Sequence, residues 1–299
     1  MAKRRFLILN NKKSGKSPGK KEKLMTKIIS LFNKNDIETE IFDSEYARHM
    51  EEFISKQSFE NFDAVIGLGG DGTSNEIVSG LHRREDKKIP PVGFIPFGTG
   101  NDFLRSLGNL NPLNWVDKII KGETKKVDII EISTKEKTYF SQLLTGWGVF
   151  YDGALAAEKY RFLGPLKYTA GAIESLLRSK KRKAKITVNN EVFEGHFWGA
   201  MICNTQFIGG GLLMARDAKI DDGVFEFFLI KKVSRIKLIY LFLQLALKIP
   251  LSPSLVHIFK TTSVEIEPEV SEPINIDGDF LGNTPLKASV KPLSYDLIC

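Results

Sequence analysis

The feature that most constrains the fold of this chain is a glycine-rich turn placed directly after a buried strand. Residues 64–68 are all apolar or Gly, and Gly69-Gly70-Asp71-Gly72-Thr73 and a helix-like segment, 73–81, follow them. A strand that passes through a glycine turn into a helix directs backbone N–H groups at a phosphate. A carboxylate in such a turn makes sense mainly if a divalent cation, or water bound to one, lies beside it. The turn therefore predicts a protein that handles nucleotide phosphates, above all a kinase.

Length and composition indicate a globular protein of two domains, or one large one. The chain has 299 residues, of which 42% are hydrophobic and 26% are charged, and these fractions are ordinary for such proteins. Two cysteines are too few for a disulfide framework, which fits a reducing cytosol. The longest apolar stretch, residues 236–247, is too short to span a bilayer. We therefore expect a cytoplasmic protein.

The net charge of +7 is unevenly distributed. Two clusters hold many of the basic residues, and such clusters suit phosphates, anionic lipid or nucleic acid. A solvated helix end or loop is the alternative for each. The first cluster contains Lys12, Lys13, Lys16, Lys20, Lys21 and Lys23, and the second contains Arg178, Lys180, Lys181, Arg182, Lys183 and Lys185.

The first third of the chain alternates between strand and helix patterns. Such repeated βα units predict a doubly wound α/β domain whose parallel sheet binds its ligand at the carboxyl ends of the strands. The apolar patterns place strands at 6–10, 38–42, 64–68 and 92–95, and helices at 20–33, 46–56, 73–81 and 103–107.

After about residue 126 the pattern changes to a mainly antiparallel β domain of the sandwich type. Asn189-Asn190 is typical of a hairpin turn between two of its strands. We predict a nucleotide-binding domain at 1–126, which the terminal segment 290–299 is a candidate to join, and a β-rich substrate domain at 127–289, with an active site between domains. Strands are expected at 127–133, 139–145, 185–188, 192–196, 198–204, 224–231 and 263–266, and helices at 168–178 and 234–248.

Two further loops of the first domain carry phosphate-binding residue types. Gly98-Thr99-Gly100-Asn101-Asp102 follows the strand next in sequence after the glycine turn, and Asn11, Ser14 and Gly15 follow the first strand. Together with the first turn, these loops give three strand ends rich in Gly, Ser, Thr and Asn. That is the composition that a triphosphate cradle needs.

Two acidic segments of the second domain are candidates for metal binding and catalysis. Residues 217–223 read Asp-Ala-Lys-Ile-Asp-Asp-Gly, which suits oxygen-liganded Mg²⁺, although an ordinary Asp-Gly turn is the alternative. Asn275, Asp277 and Asp279 alternate as on a strand and would share a face. That face is either exposed to solvent or a carboxylate pair that accepts a proton from a substrate hydroxyl.

In its motifs the chain resembles the diacylglycerol kinase catalytic domain family, which joins bacterial lipid kinases with the diacylglycerol, ceramide and sphingosine kinases of eukaryotes. The motifs occur in the family's order and span nearly the whole chain. They are Gly69 to Thr73 with Asn75-Glu76, then Pro96 to Phe103, Lys126-Val127-Asp128, Asp217 to Gly223, and Asp277-Gly278-Asp279.

The resemblance implies a two-domain lipid kinase that uses ATP and Mg²⁺ to phosphorylate a lipid hydroxyl, diacylglycerol-like or sphingoid-like, at the membrane surface. It implies that Asp71 organises the magnesium–ATP water network. The residues that it places around the nucleotide are Asn11, Ser14, Gly69, Gly70, Gly72, Thr73, Asn75, Glu76, Gly98, Thr99, Gly100 and Asn101.

The resemblance also implies roles for the acidic residues. Asp222 would hold a structural Mg²⁺ with the carbonyls of Lys219 and Val224. Asp277 would be the general base, supported by Asp279. On the substrate side it points to Asp102 and Asp152, although Asp152 is equally suited to cap the following helix. The family usually has Pro where this chain has Lys12, and Glu where it has Asp279.

Two other functions remain open from the sequence. An NAD kinase shares the Gly-Gly-Asp-Gly-Thr turn but does not require Asn75-Glu76, residues 217–223 or Asp277. A non-catalytic nucleotide-binding protein is also compatible with the charge, whereas no zinc spacing or aromatic–basic stripe indicates nucleic acid.

We expect peripheral membrane association, and a homodimer is compatible with the sequence. Residues 234–248 and 178–185 are candidates to contact anionic lipid, although we expect the helix at 234–248 mainly to pack on the β domain.

Overall fold

A computed structural model of the chain describes residues 3–12, 14–15 and 18–299. Lys13 and Lys16, two members of the first basic cluster, lie outside these residues. The chain forms two compact units, Met1–Val127 with Leu293–Cys299, and Asp128–Pro292. Two long strands, β5 (Thr124–Thr134) and β18 (Leu286–Ile298), have residues in both units.

The first unit is built on a parallel sheet with strand order β2-β1-β3-β4. The end of β18 joins this sheet beside β4, and it runs parallel to β4. The bounds are β1 (Arg4–Asn11), β2 (Ile37–Ser44), β3 (Ala64–Gly69) and β4 (Val92–Pro96), with helices α1 (Pro18–Lys34), α2 (His49–Lys56), α3 (Asp71–His82), α4 (Asp102–Ser106) and α5 (Pro112–Lys121).

The strand order of the first unit places its ligand-binding edge. The chain passes from β1 outward to β2 and then returns to the other side of β1 to form β3, so the order reverses between β1 and β3. Open α/β sheets bind ligands at the carboxyl ends of the strands at such a switch point. All six residues of β3 are buried, because helices cover the centre of the sheet. The glycine turn therefore begins at the end of a rigid strand in the centre of the sheet.

The second unit contains the other strands, three α-helices and a short 3₁₀ helix, Arg161–Leu166. Its six-stranded sheet has the order β14-β13-β10-β7-β16-β17, and neighbouring strands run antiparallel. The strands are β6 (Thr138–Ser141), β7 (Leu144–Gly148), β8 (Arg182–Val188), β9 (Glu191–Phe197), β10 (Gly199–Cys203), β11 (Phe207–Ile208), β12 (Leu212–Leu213), β13 (Phe225–Ile230), β14 (Val256–Thr261), β15 (Ser263–Pro268), β16 (Pro273–Ile276) and β17 (Asp279–Asn283), and the helices are α6 (Val149–Lys159), α7 (Lys167–Arg178) and α8 (Arg235–Ala246).

A second layer of strands faces this sheet in the second unit. The first part of β18 pairs with β15, which pairs with β8 and then β9. One apolar core contains residues of both layers, among them Ile186 and Val264 of one and Trp147, Phe227 and Ile276 of the other. The predicted fold class, an α/β domain followed by a mainly antiparallel β domain, is confirmed.

Four local predictions were wrong. The helix predicted to begin at 46 begins at His49, and Asp71 opens α3 instead of standing in the middle of a turn. The strand predicted at 139–145 is interrupted between β6 and β7. Asn275 to Asp279 do not form one strand, because Asp277 and Gly278, at φ 50° and 97°, are the two-residue loop of the β16–β17 hairpin.

Within the part of the chain that the structure describes, no helix is long and apolar enough to cross a membrane.

Candidate active site

The turns after β3 and β4 touch each other backbone to backbone. A Cβ added to Gly98 would lie 2.4 Å from the Cα of Gly70, and a Cβ added to Gly70 would lie 2.9 Å from the Cα of Gly98. The Phe97 N–H donates to the Gly69 carbonyl at 2.7 Å. Since real Cβ atoms do not approach backbone so closely, only glycine fits at these two positions. The turns therefore form one rigid surface at the carboxyl edge of the sheet.

Asp71 fastens this surface to the next helix. Its Oδ2 accepts a hydrogen bond from the Asp102 N–H at 3.0 Å, and its Oδ1 accepts one from the Phe103 N–H at 3.1 Å. These are the first two amides of α4, so the carboxylate takes the place of a capping side chain there. Asp71 is only partly buried. It can therefore hold the two turns together and still face solvent.

The loop 98–101 closes on itself through Asn101. The Asn101 side chain accepts from the Gly98 N–H and donates to the Gly98 carbonyl, both at 2.9 Å, and its backbone is left-handed, with φ 53°. Thr99 is exposed at the tip of this loop. The Gly98 amide is thus used inside the loop, and Thr99 presents its hydroxyl and backbone outward.

The loop after β1 reaches the same place. The Asn11 amide donates to the Thr73 hydroxyl at 3.1 Å, and the Ser14 hydroxyl donates to the Asn11 carbonyl at 2.8 Å. The Lys21 ammonium donates to the Asn11 carbonyl and, at 2.6 Å, to the Ser14 hydroxyl. The three predicted strand-end loops therefore lie together in the first unit.

Lys21 is a functional candidate that the sequence analysis named only as one member of a basic cluster. Its side chain is buried, with 6% of the residue exposed, and burial lowers the pKa of its ammonium to about 8 against the attraction of Asp43. The signal was present in the sequence, because Lys21 shares the inward helical face of Leu24 and Ile28. A lysine on the apolar face of a helix is unfavourable unless its ammonium group has a hydrogen-bond partner.

Asn75 and Glu76 lie on α3, where they bind the start of α2. The Asn75 side chain, 1% exposed, accepts from the Arg48 guanidinium at 2.8 Å, and Glu76 accepts from the Met50 N–H at 3.1 Å. Arg48 has a left-handed backbone, with φ 67°. Sequence analysis did not single out Arg48, whose partner is distant in the chain. These contacts position the helix that follows the glycine turn.

In the second unit, Asp277 is a buried carboxylate surrounded by hydrogen-bond donors. Its Oδ1 accepts from the Ser141 hydroxyl at 2.6 Å and from the N–H groups of Leu143 and Leu144 at 3.1 and 2.8 Å. Its Oδ2 accepts from the Gln142 N–H at 2.9 Å. The carboxylate therefore satisfies the amides exposed where the chain breaks between β6 and β7.

Asp279 and Asn275 complete the hairpin around Asp277. Asn275 accepts from the Gly278 N–H and donates to the Asp279 carbonyl, both at 3.3 Å. Asp279 opens β17 and is partly exposed, whereas Asp277 is 4% exposed. The three residues are brought together by the turn and not by a shared strand face.

The segment 217–223 forms a turn that is held by a residue outside it. The fully buried Asp128 accepts from the Gly223 N–H at 2.7 Å and donates its own N–H to the Ile220 carbonyl at 2.6 Å. Asp222 and Lys219 are exposed. No group of three His, Cys, Asp or Glu side chains arranged for a metal occurs in the described ranges. A Mg²⁺ site here would consist of one carboxylate with backbone carbonyls and water.

Asp152 lies in the first turn of α6 and is committed to an ion pair. Its two oxygens accept from the Arg182 guanidinium at 2.9 and 2.8 Å, and the Ser179 hydroxyl also donates to it. Arg182 also bonds Glu272 at 3.0 Å. The cap of α6 is Gly148, so the alternative role of Asp152 as a helix cap was wrong.

Asp102, the other residue expected near substrate, is 3% exposed and lies 3.4 Å from the Arg105 guanidinium.

Comparison with known proteins identifies the family. Residues 5–132 match the family described as diacylglycerol kinase catalytic domain, and residues 148–299, just over half of the chain, match the YegS C-terminal NAD kinase beta sandwich-like domain. Through the second match, which covers more than half of the chain, the protein belongs to the family of the YegS C-terminal NAD kinase beta sandwich-like domain, and its first part matches the diacylglycerol kinase catalytic domain. The resemblance inferred from the motifs is therefore confirmed.

Curated relatives match nearly the whole chain. The diacylglycerol kinase of Staphylococcus carnosus is 28% identical over 284 residues, which cover 94% of this chain and 90% of the relative. Sphingosine kinase 1 of Arabidopsis thaliana is 24% identical over 353 residues, 98% of this chain and 72% of the relative. The crystal structure of a diacylglycerol kinase from Bacillus anthracis has a TM-score of 0.80 at 23% identity and covers 99% of this chain and 96% of its own, which shows the shared fold. The chain is thus an enzyme of the lipid kinase class, whose acceptors are alcohols.

We predict that Gly98→Ala destabilises the first unit by about 1–3 kcal/mol, because the new Cβ collides with the Gly70 backbone. Gly72→Ala is the matched control, since its Cβ meets nothing within 4 Å. The control should change the free energy of unfolding by no more than about 1 kcal/mol. Urea denaturation of both variants measures the difference, and equal midpoints would refute the close contact.

Lys21 predicts a dependence of stability on pH. The folded protein binds the Lys21 proton less tightly than the unfolded chain, because its pKa falls from 10.5 to about 8. The penalty for burying the charge is complete below about pH 8 and fades as the pH rises toward 10.5. The free energy of unfolding of the unaltered protein should therefore rise between about pH 7 and pH 9.5, and Lys21→Met should reduce this rise. Chemical denaturation at both pH values, with the exposed Lys20→Met as control, measures this. An unchanged gain in Lys21→Met would contradict it.

Proposed function

We propose that the protein is an ATP- and Mg²⁺-dependent kinase that transfers the γ-phosphate to the hydroxyl of a diacylglycerol-like or sphingoid-like lipid at the membrane surface. The observation that carries the nucleotide half of this proposal is the contact between the Gly70 and Gly98 turns at the carboxyl ends of β3 and β4, next to the β1–β3 switch point. The lipid half is supported by the relatives named diacylglycerol kinase and sphingosine kinase.

The first unit fits the phosphates of ATP in three respects. Gly72, the second residue of the twelve-residue helix α3, has open space where a Cβ would stand. A phosphate can therefore approach the helix N-terminus, where backbone N–H groups and the helix dipole favour an anion. Thr99 is exposed on the adjoining loop, and Lys21 supplies a cation at the loop after β1. We assign the phosphates to this surface.

The residues present also fit Mg²⁺, which would supply neutralisation of the phosphate charge. Asp71 already accepts two backbone N–H groups, so we propose that it orients water near the phosphates instead of serving as a multidentate ligand. Asp222 with the carbonyls of Lys219 and Val224 offers the hard oxygen atoms that Mg²⁺ prefers. Asp128 holds the backbone of that turn.

Asp277 is our candidate for the general base. The donors that surround it stabilise the ionised carboxylate, the form that a base needs before it accepts a proton. The Ser141 hydroxyl already donates to Oδ1 at 2.6 Å, and a substrate alcohol would donate to the carboxylate in the same way. For proton transfer, a substrate hydroxyl would have to reach one of the two carboxylate oxygens, beside these donors or in place of one. Asp279, partly exposed beside it, would support the substrate end.

The first experiment is transfer of labelled γ-phosphate from ATP to a panel of micellar lipids and to NAD, with Mg²⁺ and with EDTA. Label in one lipid in the presence of Mg²⁺, and in none in the presence of EDTA, would support the proposal and identify the acceptor class. Label in NADP would assign the chain to NAD kinase chemistry. ATP binding without transfer to any acceptor would favour a non-catalytic nucleotide-binding protein.

We predict that Asp277→Asn lowers kcat by about 10²–10⁴-fold with little change in ATP affinity, because the amide cannot accept the hydroxyl proton. Ser141→Ala is the control, since it removes one donor and keeps the carboxylate. That control should lower stability by about 2 kcal/mol and retain most of its turnover. Steady-state kinetics, nucleotide titration and thermal unfolding separate the cases. If Asp277→Asn turns over normally, Asp277 is a structural residue.

A further inference from the structure

Helices α7 and α8 of the second unit present a row of exposed apolar side chains. On α8 and its C-terminal residue these recur at positions i, i+4, i+7 and i+11, and on α7 at i and i+4, so each set lies on one face of its helix. We call this surface the α7–α8 face. It consists of Ile173 (49% exposed), Leu177 (63%), Ile236 (79%), Tyr240 (52%), Leu243 (49%) and Leu247 (68%).

The exposed row is not the side by which α8 is held to the protein. Leu238 and Leu241 lie on the other side of the helix and are buried. Gln244, at the edge of that side, is also buried, and its side chain bonds the Pro250 carbonyl and the Ser252 N–H at 3.2 Å. The helix therefore packs as expected through one side. Its other apolar side stays in contact with solvent.

The two helices form one surface because α8 is tied to the end of α7. The Arg235 guanidinium, in the first turn of α8, donates to the carbonyl of Leu176 and, at 3.1 Å, to that of Ser179. These carbonyls belong to the last turn and the cap of α7, where a cation is favoured. The exposed residues of both helices are thus held in a fixed arrangement.

The charges at the margin of the face are basic. The twelve residues of α8 include no Asp or Glu, and Glu174 on α7 is paired with Lys159 and Arg178. An apolar stripe with basic margins is the pattern of helices that lie in the interface of an anionic membrane. Besides Arg235, the exposed basic residues near the two helices are Arg178, Lys180, Lys181, Lys232, Lys237 and Lys248.

The same charges disfavour a second copy of the chain as the occupant. In a two-fold symmetric dimer the same surface meets itself, so the basic margins of both copies would face each other. Such like-charge contact opposes association. A bilayer surface that contains anionic phospholipid complements both the apolar row and its margin.

We propose that the α7–α8 face docks the protein on the surface of an anionic phospholipid bilayer. Its Ile and Leu side chains enter the boundary between headgroups and acyl chains, and the lysines and arginines contact the headgroups. This docking proposal rests on the proposed kinase function, because the lipid acceptor of that function lies in such a bilayer. It adds the surface of this chain that meets the bilayer.

The test compares the full-length protein with two double variants in a vesicle flotation assay. Ile236→Gln with Leu247→Gln removes two of the most exposed side chains of the face. Val192→Gln with Val270→Gln is the matched control, since these residues are 54% and 72% exposed and lie elsewhere in the second unit. Vesicles contain phosphatidylcholine alone or mixed with phosphatidylglycerol. All four positions point to solvent, and thermal unfolding checks that each variant is folded.

We expect the unaltered protein to bind the phosphatidylglycerol vesicles, and to bind phosphatidylcholine alone more weakly. The Ile236→Gln, Leu247→Gln variant should lose on the order of tenfold or more of this binding, while the control keeps it. Equal loss in both variants, or no loss in either, would overturn the proposal. A concentration-dependent dimer in analytical ultracentrifugation that only the face variant loses would instead assign the face to self-association.

A separate assay distinguishes this proposal from the proposed function. With a short-chain lipid acceptor dispersed as monomers, the face variant should keep phosphoryl transfer, because no bilayer is involved. If the face variant loses transfer to an acceptor in vesicles but keeps transfer to the monomeric acceptor, the result would support docking. Absence of transfer in every protein, with face-dependent vesicle binding intact, would refute the kinase proposal and support the docking surface.

Discussion

The backbone contact between Gly70 and Gly98 is the constraint on which the first unit's candidate site depends. It brings the ends of two neighbouring strands closer than any side chain would permit, and the Asp71 carboxylate then joins the first turn to α4. The loop after β1 is added through Asn11 and Thr73. These short links join the three loops at the carboxyl edge of the sheet, so the nucleotide binding that we propose there would need little further ordering of the backbone.

Buried carboxylates perform a similar task in the second unit. Asp277 satisfies the amides where β6 gives way to β7, and Asp128 satisfies the amide of Gly223 in the next acidic turn. Each is a carboxyl group with almost no contact with water, and backbone N–H groups compensate for the lost hydration. The acidic residues of the motifs therefore hold their loops together, in addition to the chemistry that we propose for some of them. A loss of activity on removing one of them has two explanations, and only a stability measurement separates them.

Patterns that are local in sequence predicted most of the fold, and contacts between distant residues account for what was missed. Alternation and apolar runs located β1, β3 and β13, and the Asn189-Asn190 turn has the positive φ angles of a hairpin. The break after Ser141 and the turn at Asp277 depend on each other across 136 positions, so neither is visible locally. Arg48 is missed for the same reason, whereas Lys21 was detectable from its position on an apolar helix face.

Helix α8 shows why sequence periodicity alone did not define the surface of the second unit. Its sequence, Arg-Ile-Lys-Leu-Ile-Tyr-Leu-Phe-Leu-Gln-Leu-Ala, is apolar on almost every side, and such a helix is normally buried all round. Here only the side of Leu238 and Leu241 is covered. An exposed apolar side is unfavourable in water, and a basic margin does not reduce that penalty. Our proposed docking on an anionic bilayer, which is apolar within and anionic at its surface, would account for the two features together.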